Sequence, residues 1–303
     1  MSFIVRSIVP VLALATFIQP AAAQDRRVSL SIGYGHVEAD EKIFDSRGLR
    51  SHLTWTAEAP MATVQVRRDL AAGWVLTGSM TTSLGDGAYM SDFDWLFSGT
   101  DDWSHRSLHP DTRLDHYVDV DLAVGRDLPG PVGTTVNLHG GLRYNDVEWD
   151  ARGGSLVYSF DGFRDYSADL PDGLAVVSYR QRQLSLFAGV EADRQFGDWT
   201  VSGRVRGGVG IDPRETDRHW LRDLRFDRSH DVIPFMDLAA RVDYRLNDRT
   251  TAFVQARHIH HDDRRGDTRY SSISSGDEMG HAGGNAGIGF SMTQLSVGVD
   301  HSF

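Results

Sequence analysis

The sequence contains no cysteine and a single lysine, Lys42, among its 303 residues. Disulfide bonds are therefore excluded, and a chain of this length must obtain its stability from a large core or a closed sheet. After residue 23, no apolar run approaches the roughly 20 residues that a membrane helix requires. These absences leave two classes of protein, a soluble globular chain and a chain that crosses a membrane with β-strands.

The N-terminal segment has the features of a secretory signal peptide. Arg6 supplies a positive charge, residues 8–18 are mostly apolar, and residues 21–23 are three alanines that offer a cleavage site. We expect residues 1–23 to be removed, which leaves residues 24–303 as one domain. Removal takes one of 31 basic residues and none of the 42 acidic ones, so the mature chain has a net charge of −12. Such a chain binds nucleic acid poorly and attracts cationic partners.

Apolar residues alternate with polar or small residues throughout the mature sequence. The period of two is clear in residues 28–35, 118–125, 184–192, 201–209 and 236–244. Since side chains alternate between the two faces of a strand, this pattern predicts β-structure and leaves no clear position for a helix. We expect about ten strands, near residues 27–40, 50–68, 73–86, 112–127, 132–150, 174–193, 198–213, 232–247, 249–263 and 286–303.

The connections between these strands alternate in length. Residues 69–73, 128–133, 194–198 and 246–249 are short turns, whereas the polar segments 87–111, 151–173, 214–231 and 264–285 are long. This layout predicts an all-β, antiparallel, ten-stranded transmembrane β-barrel with long extracellular loops and short periplasmic turns. The final strand, which has one apolar face and ends at Phe303, favours the same fold. A soluble β-sandwich or a secreted barrel is the alternative.

Two pairs of polar residues could support hydrolysis. Asp92 and Asp94 are two residues apart, as are Asp217 and His219, so on extended backbone each pair shares a face. Two adjacent carboxylates repel unless a proton, a cation or a water molecule lies between them. An imidazole oriented by a carboxylate can act as a general base. If the two pairs face each other across a barrel, they can hold and activate a water molecule. Each pair alone also fits an ordinary solvated loop.

Several motifs resemble those of the omptins, the outer-membrane endoproteases of Gram-negative bacteria. The first signature corresponds to Asp92-Phe-Asp94-Trp95 and the run from Trp103 to Thr112, and Asp217-Arg-His219 is similar to the catalytic Asp-x-His of the family. A middle block of the family is similar to residues 149–155, 162–165 and 179–182. The matches keep their order across essentially the whole mature chain.

The resemblance implies an omptin-type aspartyl endopeptidase in the outer membrane, with its active site facing the exterior. Asp92 and His219 would flank the attacking water, with Asp217 orienting His219 and Asp94 supporting the opposite side. The family cleaves peptides and proteins after basic residues. The residues that match its substrate pocket are Glu41, Glu215 and Met90.

The resemblance also implies contact with lipopolysaccharide. Arg182 is the clearly retained ligand, and Arg143 or Arg152 could supplement it. It remains open whether lipopolysaccharide is needed for activity, and no metal or other cofactor is expected. His105 occupies a position that is acidic in members that prefer a basic residue after the cleaved bond, so a dibasic preference is not expected here.

A functional alternative is a catalytically silent barrel, a small porin or an adhesin, whose acidic rim only attracts cationic partners. Ser107 is interpreted as structural because the sequence shows no base beside it. Residues 258–263, which include three histidines, fit a solvated strand end better than a metal site. Four tryptophans near predicted strand ends are interpreted as an interfacial girdle, namely Trp55, Trp74, Trp149 and Trp199.

Overall fold

The structure is a computed structural model that describes residues 26–131 and 133–303. The predicted signal peptide and its cleavage point after Ala23 lie outside these residues. No helix in the described part of the chain is long and apolar enough to span a membrane. The strands are β1 (Arg26–Asp45), β2 (Gly48–Asp69), β3 (Trp74–Ser83), β4 (Gly87–Asp94), β5 (His105–Pro129), β6 (Thr134–Tyr158), β7 (Tyr166–Phe196), β8 (Trp199–His219), β9 (Leu224–Ser229), β10 (Val232–Arg245), β11 (Thr250–Ser272) and β12 (Glu278–Ser302).

The sheet closes on itself. β1 pairs antiparallel with β2 on one side and with β12 on the other, and the remaining strands follow in order around the ring. Two places in the ring are each filled by two strands. Both β3 and β4 lie between β2 and β5, and both β9 and β10 lie between β8 and β11. The twelve segments therefore occupy ten positions. The predicted ten-stranded antiparallel barrel is confirmed.

The strands extend further than the alternating pattern predicts. Residues 151–173 were expected to form a long loop, but β6 continues to Tyr158 and β7 begins at Tyr166, so only a short connection remains. The segments 214–231 and 264–285 are likewise mostly strand, and more than half of 87–111 is β4 or the start of β5. At this end of the barrel apolar residues no longer alternate regularly with polar ones, so the pattern that marks a strand in the sequence disappears although the strand continues.

The lower part of the barrel is polar inside and apolar outside. Leu30, Ile32 and Tyr34 of β1 are more than half exposed, whereas the intervening strand face is directed inwards, with Ser29 buried. The same inversion occurs on β12, where Leu295 and Val297 are exposed and Gln294 and Ser296 are buried. A soluble β-sandwich would bury its apolar face. The observed arrangement suits strands that contact lipid.

The interior of the lower barrel is filled by a network of ion pairs. Arg143 and Asp119 are 2.5 Å apart, Arg257 lies 3.2 Å from Asp119, and Arg257 lies 2.7 Å from Asp237. All four side chains are buried. Since opposite charges occupy the lumen and pair with each other, this level of the barrel does not resemble the water-filled channel of a porin.

An aromatic and aliphatic layer lies above this network. Trp55 stacks on Tyr179 with ring centroids 5.5 Å apart, and Trp149 lies 6.2 Å from each of them. Trp55 and Trp149 have no exposed surface, so the prediction that they belong to an interfacial girdle is wrong. Trp74 and Trp199, which follow short turns, are about half exposed, and for them the girdle stays a prediction. The layer forms a dry floor that separates the lumen from the polar mouth of the barrel.

Candidate active site

The mouth of the barrel contains a cleft between two walls. On one wall, backbone register aligns Glu41 of β1 with Leu53 of β2, Leu53 with Asp92 of β4, and Asp92 with Ser107 of β5. On the other wall, His219 of β8 is aligned with Val177 of β7 and with Leu224 of β9. Asp92, Asp94 and His219 all line this cleft, which has a volume of about 360 Å³. Closure of the ring thus brings together the two pairs that the sequence separates by more than a hundred residues.

Asp92 and Asp94 lie at the end of β4 and face the same side. The Ser51 hydroxyl donates a hydrogen bond of 3.3 Å to Asp92 Oδ1. Burial and the neighbouring Asp94 carboxylate raise the pKa of Asp92 well above its usual range, although Arg222 opposes the shift. Burial also raises the pKa of Asp94. These two carboxylates therefore do not readily carry two full negative charges together, and a shared proton or a bound water molecule would relieve their repulsion.

Asp217 and His219 form the second pair. His219 Nε2 lies 2.9 Å from Asp217 Oδ2, and because a carboxylate only accepts, the imidazole donates this bond from Nε2. His219 Nδ1 is then the nitrogen that can accept a proton. Asp217 is completely buried; burial acts to raise its pKa, but His219 and Arg228 outweigh that effect and lower it to about 2. Asp217 thus remains ionised and fixes the tautomer of the base.

Arg222 is a cleft residue that the sequence did not suggest. It ends the 3-10 helix Trp220–Arg222 between β8 and β9, and its guanidinium donates a hydrogen bond to His219 Nδ1. Its charge also opposes the rise in pKa at both Asp92 and Asp94. No residue spacing could have identified it, since its contacts depend on the turn that folds back over the site.

Glu41 lines the same cleft but is already paired. Arg228 of β9 reaches across the barrel and places Nη2 at 2.7 Å from Glu41 Oε1 and at 3.5 Å from Asp217 Oδ2. All three side chains are buried. Burial, with a further contribution from Asp217, raises the pKa of Glu41 well above its usual range despite the attraction of Arg228. Arg228 is a second residue that sequence analysis missed.

The other two predicted pocket residues lie deeper. Glu215 accepts a hydrogen bond of 2.5 Å from the Tyr179 hydroxyl and lies 2.5 Å from His230 Nε2. Met90 has no exposed surface and packs within the apolar floor, where it is aligned with Trp55. Neither side chain is among those that line the cleft, so each would influence a substrate only through the residues above it.

Ser107 and His109 form a further polar pair in the cleft. His109 Nδ1 donates to the Gly153 carbonyl over 2.6 Å, so Nε2 is free to accept from the Ser107 hydroxyl, 3.0 Å away. The premise that Ser107 has no base beside it is therefore wrong. Burial lowers the pKa of His109, which keeps its imidazole neutral. This arrangement makes Ser107 a rival nucleophile that an experiment must distinguish from water.

The other predicted sites are dispersed. Arg182 points outwards from β7 just above the exposed apolar band that includes Leu184. Arg143 lies in the barrel lumen, so its suggested role as a lipopolysaccharide ligand is wrong, whereas Arg152 lies near the mouth, 2.8 Å from Asp150. His105 is aligned with Asp94 across β4 and β5.

The three histidines of residues 258–261 do not converge. His261 is buried and stacks on Phe235 with ring centroids 5.0 Å apart, whereas His258 bonds to Thr293 on the outer face of β11. Within the described residues, no three histidine, aspartate or glutamate side chains are grouped so that they could hold a metal ion.

Comparison with known proteins agrees with the barrel. The plasminogen activator of Yersinia pestis is 24% identical over 234 residues, which are 77% of this chain and 72% of that protein. The outer membrane protease OmpP of Escherichia coli is 26% identical over 220 residues, 72% of this chain and 68% of the relative. The crystal structure of the outer membrane protease OmpT from Escherichia coli superposes with a TM-score of 0.85 at 21% identity, covering 93% of this chain and 99% of that one. The family model described as "Omptin family" matches residues 22–303, and the chain therefore belongs to the omptin family.

Proposed function

We propose that this omptin, a protease of the outer membrane, hydrolyses peptide bonds with a water molecule held between Asp92 and His219. Asp217 orients His219, and Asp94 lies beside Asp92 and supports it on the opposite side of the water. The observation that carries the proposal is that Asp92 and Asp94 of β4 and His219 of β8 line one cleft at the mouth of the barrel, with Asp217 buried behind His219. The mouth lies beyond the apolar band and opposite the short turns, which points to the exterior of the cell.

The proposed step requires one proton transfer to His219 and one from it. As the water oxygen attacks the scissile carbonyl carbon, His219 Nδ1 takes a proton from the water, and the buried carboxylate of Asp217 stabilises the imidazolium. The imidazolium then protonates the leaving amine as the C–N bond breaks. Because Arg222 donates to Nδ1 in the free protein, its guanidinium must shift when water and substrate bind.

The substrates we propose are cationic peptides and proteins, and the family resemblance implies cleavage after a basic residue. The net charge of the mature chain attracts such substrates. Glu41 lies in the cleft, where a carboxylate can accept charge-assisted hydrogen bonds from an arginine or a lysine. Arg228 already contacts Glu41, so the residue accepted before the cleaved bond depends on that contact.

Lipopolysaccharide is the proposed membrane partner. Arg182 is exposed on the outer face of the barrel and borders a groove shared with Arg214 and Arg269. Three guanidinium groups near the edge of the apolar band suit the phosphates of a lipid headgroup. Binding there could hold β8 and β11 in place around the cleft. Replacing Arg182 should weaken the response of activity to added lipopolysaccharide, whereas hydrolysis itself does not require the side chain.

The experiment that tests the function compares peptide hydrolysis by the refolded protein and by Asp92→Asn and His219→Ala, with and without lipopolysaccharide. An internally quenched, arginine-containing peptide reports cleavage, and heat-modified gel mobility confirms that the barrel is folded. A protease predicts hydrolysis by the parent protein and its near-complete loss in both variants. If the folded parent protein cleaves nothing, the silent barrel is the correct alternative.

A further inference from the structure

Arg228 occupies the position in which a cationic side chain of a substrate would be expected. Its guanidinium lies 2.7 Å from Glu41, 3.5 Å from Asp217 and 3.9 Å from Glu215, so it contacts every acid at the base of the cleft. Arg228, Glu41, Glu215 and Asp217 are each at most 3% exposed. An arginine entering from a substrate would meet carboxylates that already have an internal partner.

The backbone prevents Arg228 from leaving the pocket easily. β9 is paired on both sides, with Arg228 aligned with Glu215 of β8 and with Thr268 of β11. A residue in the middle of a doubly paired strand directs its side chain to a fixed face. The guanidinium also lies 5.4 Å from the ring of Phe226, which is another wall of the cleft. Displacing the Arg228 guanidinium would leave the buried carboxylates without their cation, which is strongly unfavourable.

The two other acids beside Arg228 also have partners within the protein. Glu215 is bonded to Tyr179 and His230, and Asp217 is bonded to His219. Burial raises the pKa of Glu41, so even this carboxyl is not a constant negative charge. Much of the remaining lining is apolar and includes Ile43, Leu53, Val177, Leu221, Phe226 and Tyr270. A second guanidinium beside Arg228 would experience like-charge repulsion.

We infer that Arg228 is a specificity-determining residue that takes the place of a substrate's basic side chain and thereby allows cleavage after uncharged, apolar residues. The inference rests on the proposed function, because it concerns which peptide bond that cleft accepts. It predicts that selectivity for arginine before the cleaved bond is low in the natural protein. It also predicts that the selectivity appears when the internal cation is removed.

The test uses two internally quenched peptides that differ only at the residue before the cleaved bond, arginine in one and norleucine in the other. Norleucine has a long unbranched side chain without the charge. The parent protein should hydrolyse the norleucine peptide at least as efficiently as the arginine peptide, as measured by kcat/KM and with the cleaved bond located by mass spectrometry. Arg228→Gln should raise the ratio of arginine to norleucine cleavage by about tenfold or more.

Three further variants separate this role from a general structural one. Arg228→Lys keeps a cation and should keep the low ratio, whereas adding Glu41→Gln to Arg228→Gln should abolish the gain, since the unmasked carboxylate is then removed. Arg225→Gln removes an arginine from the same strand that bonds to Asp227 away from the acids, and it should leave the ratio unchanged. Hydrolysis of the norleucine peptide shows that each variant is folded and active.

The possible failures are distinguishable. If the parent protein strongly prefers the arginine peptide, or if Arg228→Gln does not raise the ratio of arginine to norleucine cleavage, Arg228 does not control specificity, although the protein is a protease. If Arg228→Gln gains selectivity that Glu41→Gln does not remove, the assignment to this ion pair is incorrect. If verified folded protein cleaves neither peptide, the proposed function fails and the inference falls with it.

Discussion

His219 Nε2 lies 2.9 Å from Oδ2 of Asp217, a carboxylate with no exposed surface. This bond leaves Nδ1 as the basic nitrogen and holds the ring towards the cleft. The bond therefore positions His219 of β8 beside the proposed catalytic water, whose other neighbour is Asp92 of β4.

Replacing either member of this pair should remove most of the activity. In His219→Ala no base remains, and in Asp217→Asn the amide can donate to Nε2, which would favour the opposite tautomer. Since general base catalysis contributes about 10²- to 10⁴-fold, we expect losses of that order in kcat. Steady-state hydrolysis of a quenched peptide measures them. Asp198→Asn, at an exposed turn residue that pairs with Arg245, serves as the control and should retain full activity.

Asp217 should also determine part of the resistance to acid. Its pKa of about 2 in the folded protein lies below the ordinary value of 3.8, so the folded state favours the ionised form. The resulting stabilisation is present above the ordinary pKa and is lost as the pH falls from about 4 towards 2; a shift of this size corresponds to about 2 kcal/mol. Chemical unfolding of the parent protein and of Asp217→Asn at several pH values measures it. A stability difference that persists undiminished at pH 2 would contradict this assignment.

Asp92→Asn should be inactive but more stable than the parent protein at neutral pH. Because the pKa of Asp92 is raised in the folded state, its contribution to stability is fully present below the ordinary pKa and is lost as the pH rises through the raised value. An uncharged amide does not suffer that loss and also does not repel Asp94. Thermal unfolding in detergent micelles should therefore give a higher Tm for the variant at pH 7 and a smaller difference at pH 4. An unchanged or lower Tm at pH 7 would show that Asp92 is not under electrostatic strain.

Ser107 provides a test of whether water or a hydroxyl group is the nucleophile. His109 is positioned to accept the Ser107 proton, so an acyl-enzyme is the competing mechanism. With water as the nucleophile, Ser107→Ala should lower kcat less than His219→Ala does. Added hydroxylamine should yield no hydroxamate, because there is no acyl-enzyme for it to capture. Mass spectrometry of the products and of the protein during turnover would detect either species, and a covalent acyl adduct on Ser107 would reject the water mechanism.

The local sequence indicated much of the fold but not the length of its strands. The alternation at residues 28–35 predicted a strand with one apolar face, and the structure places Leu30 and Ile32 on the exposed side. Above the apolar band, alternation no longer marks the strand. Residues 151–158 belong to β6, but apolar and polar residues do not alternate there. In that region hydrogen bonding to the neighbouring strands β5 and β7 sustains the structure without an apolar pattern.

The sequence by itself determined that the chain has no disulfides, that it consists of alternating strands, and that Asp217 and His219 share one face. Each of these depends on composition or on residues close together in the chain. Only the tertiary structure decided that Trp55 and Trp149 lie inside the barrel, that Asp92 and His219 line one cleft, and that Arg228 reaches Glu41. Those relationships arise when the sheet closes and brings distant strands together, because buried charges then pair with the nearest opposite charge, whatever its position in the sequence.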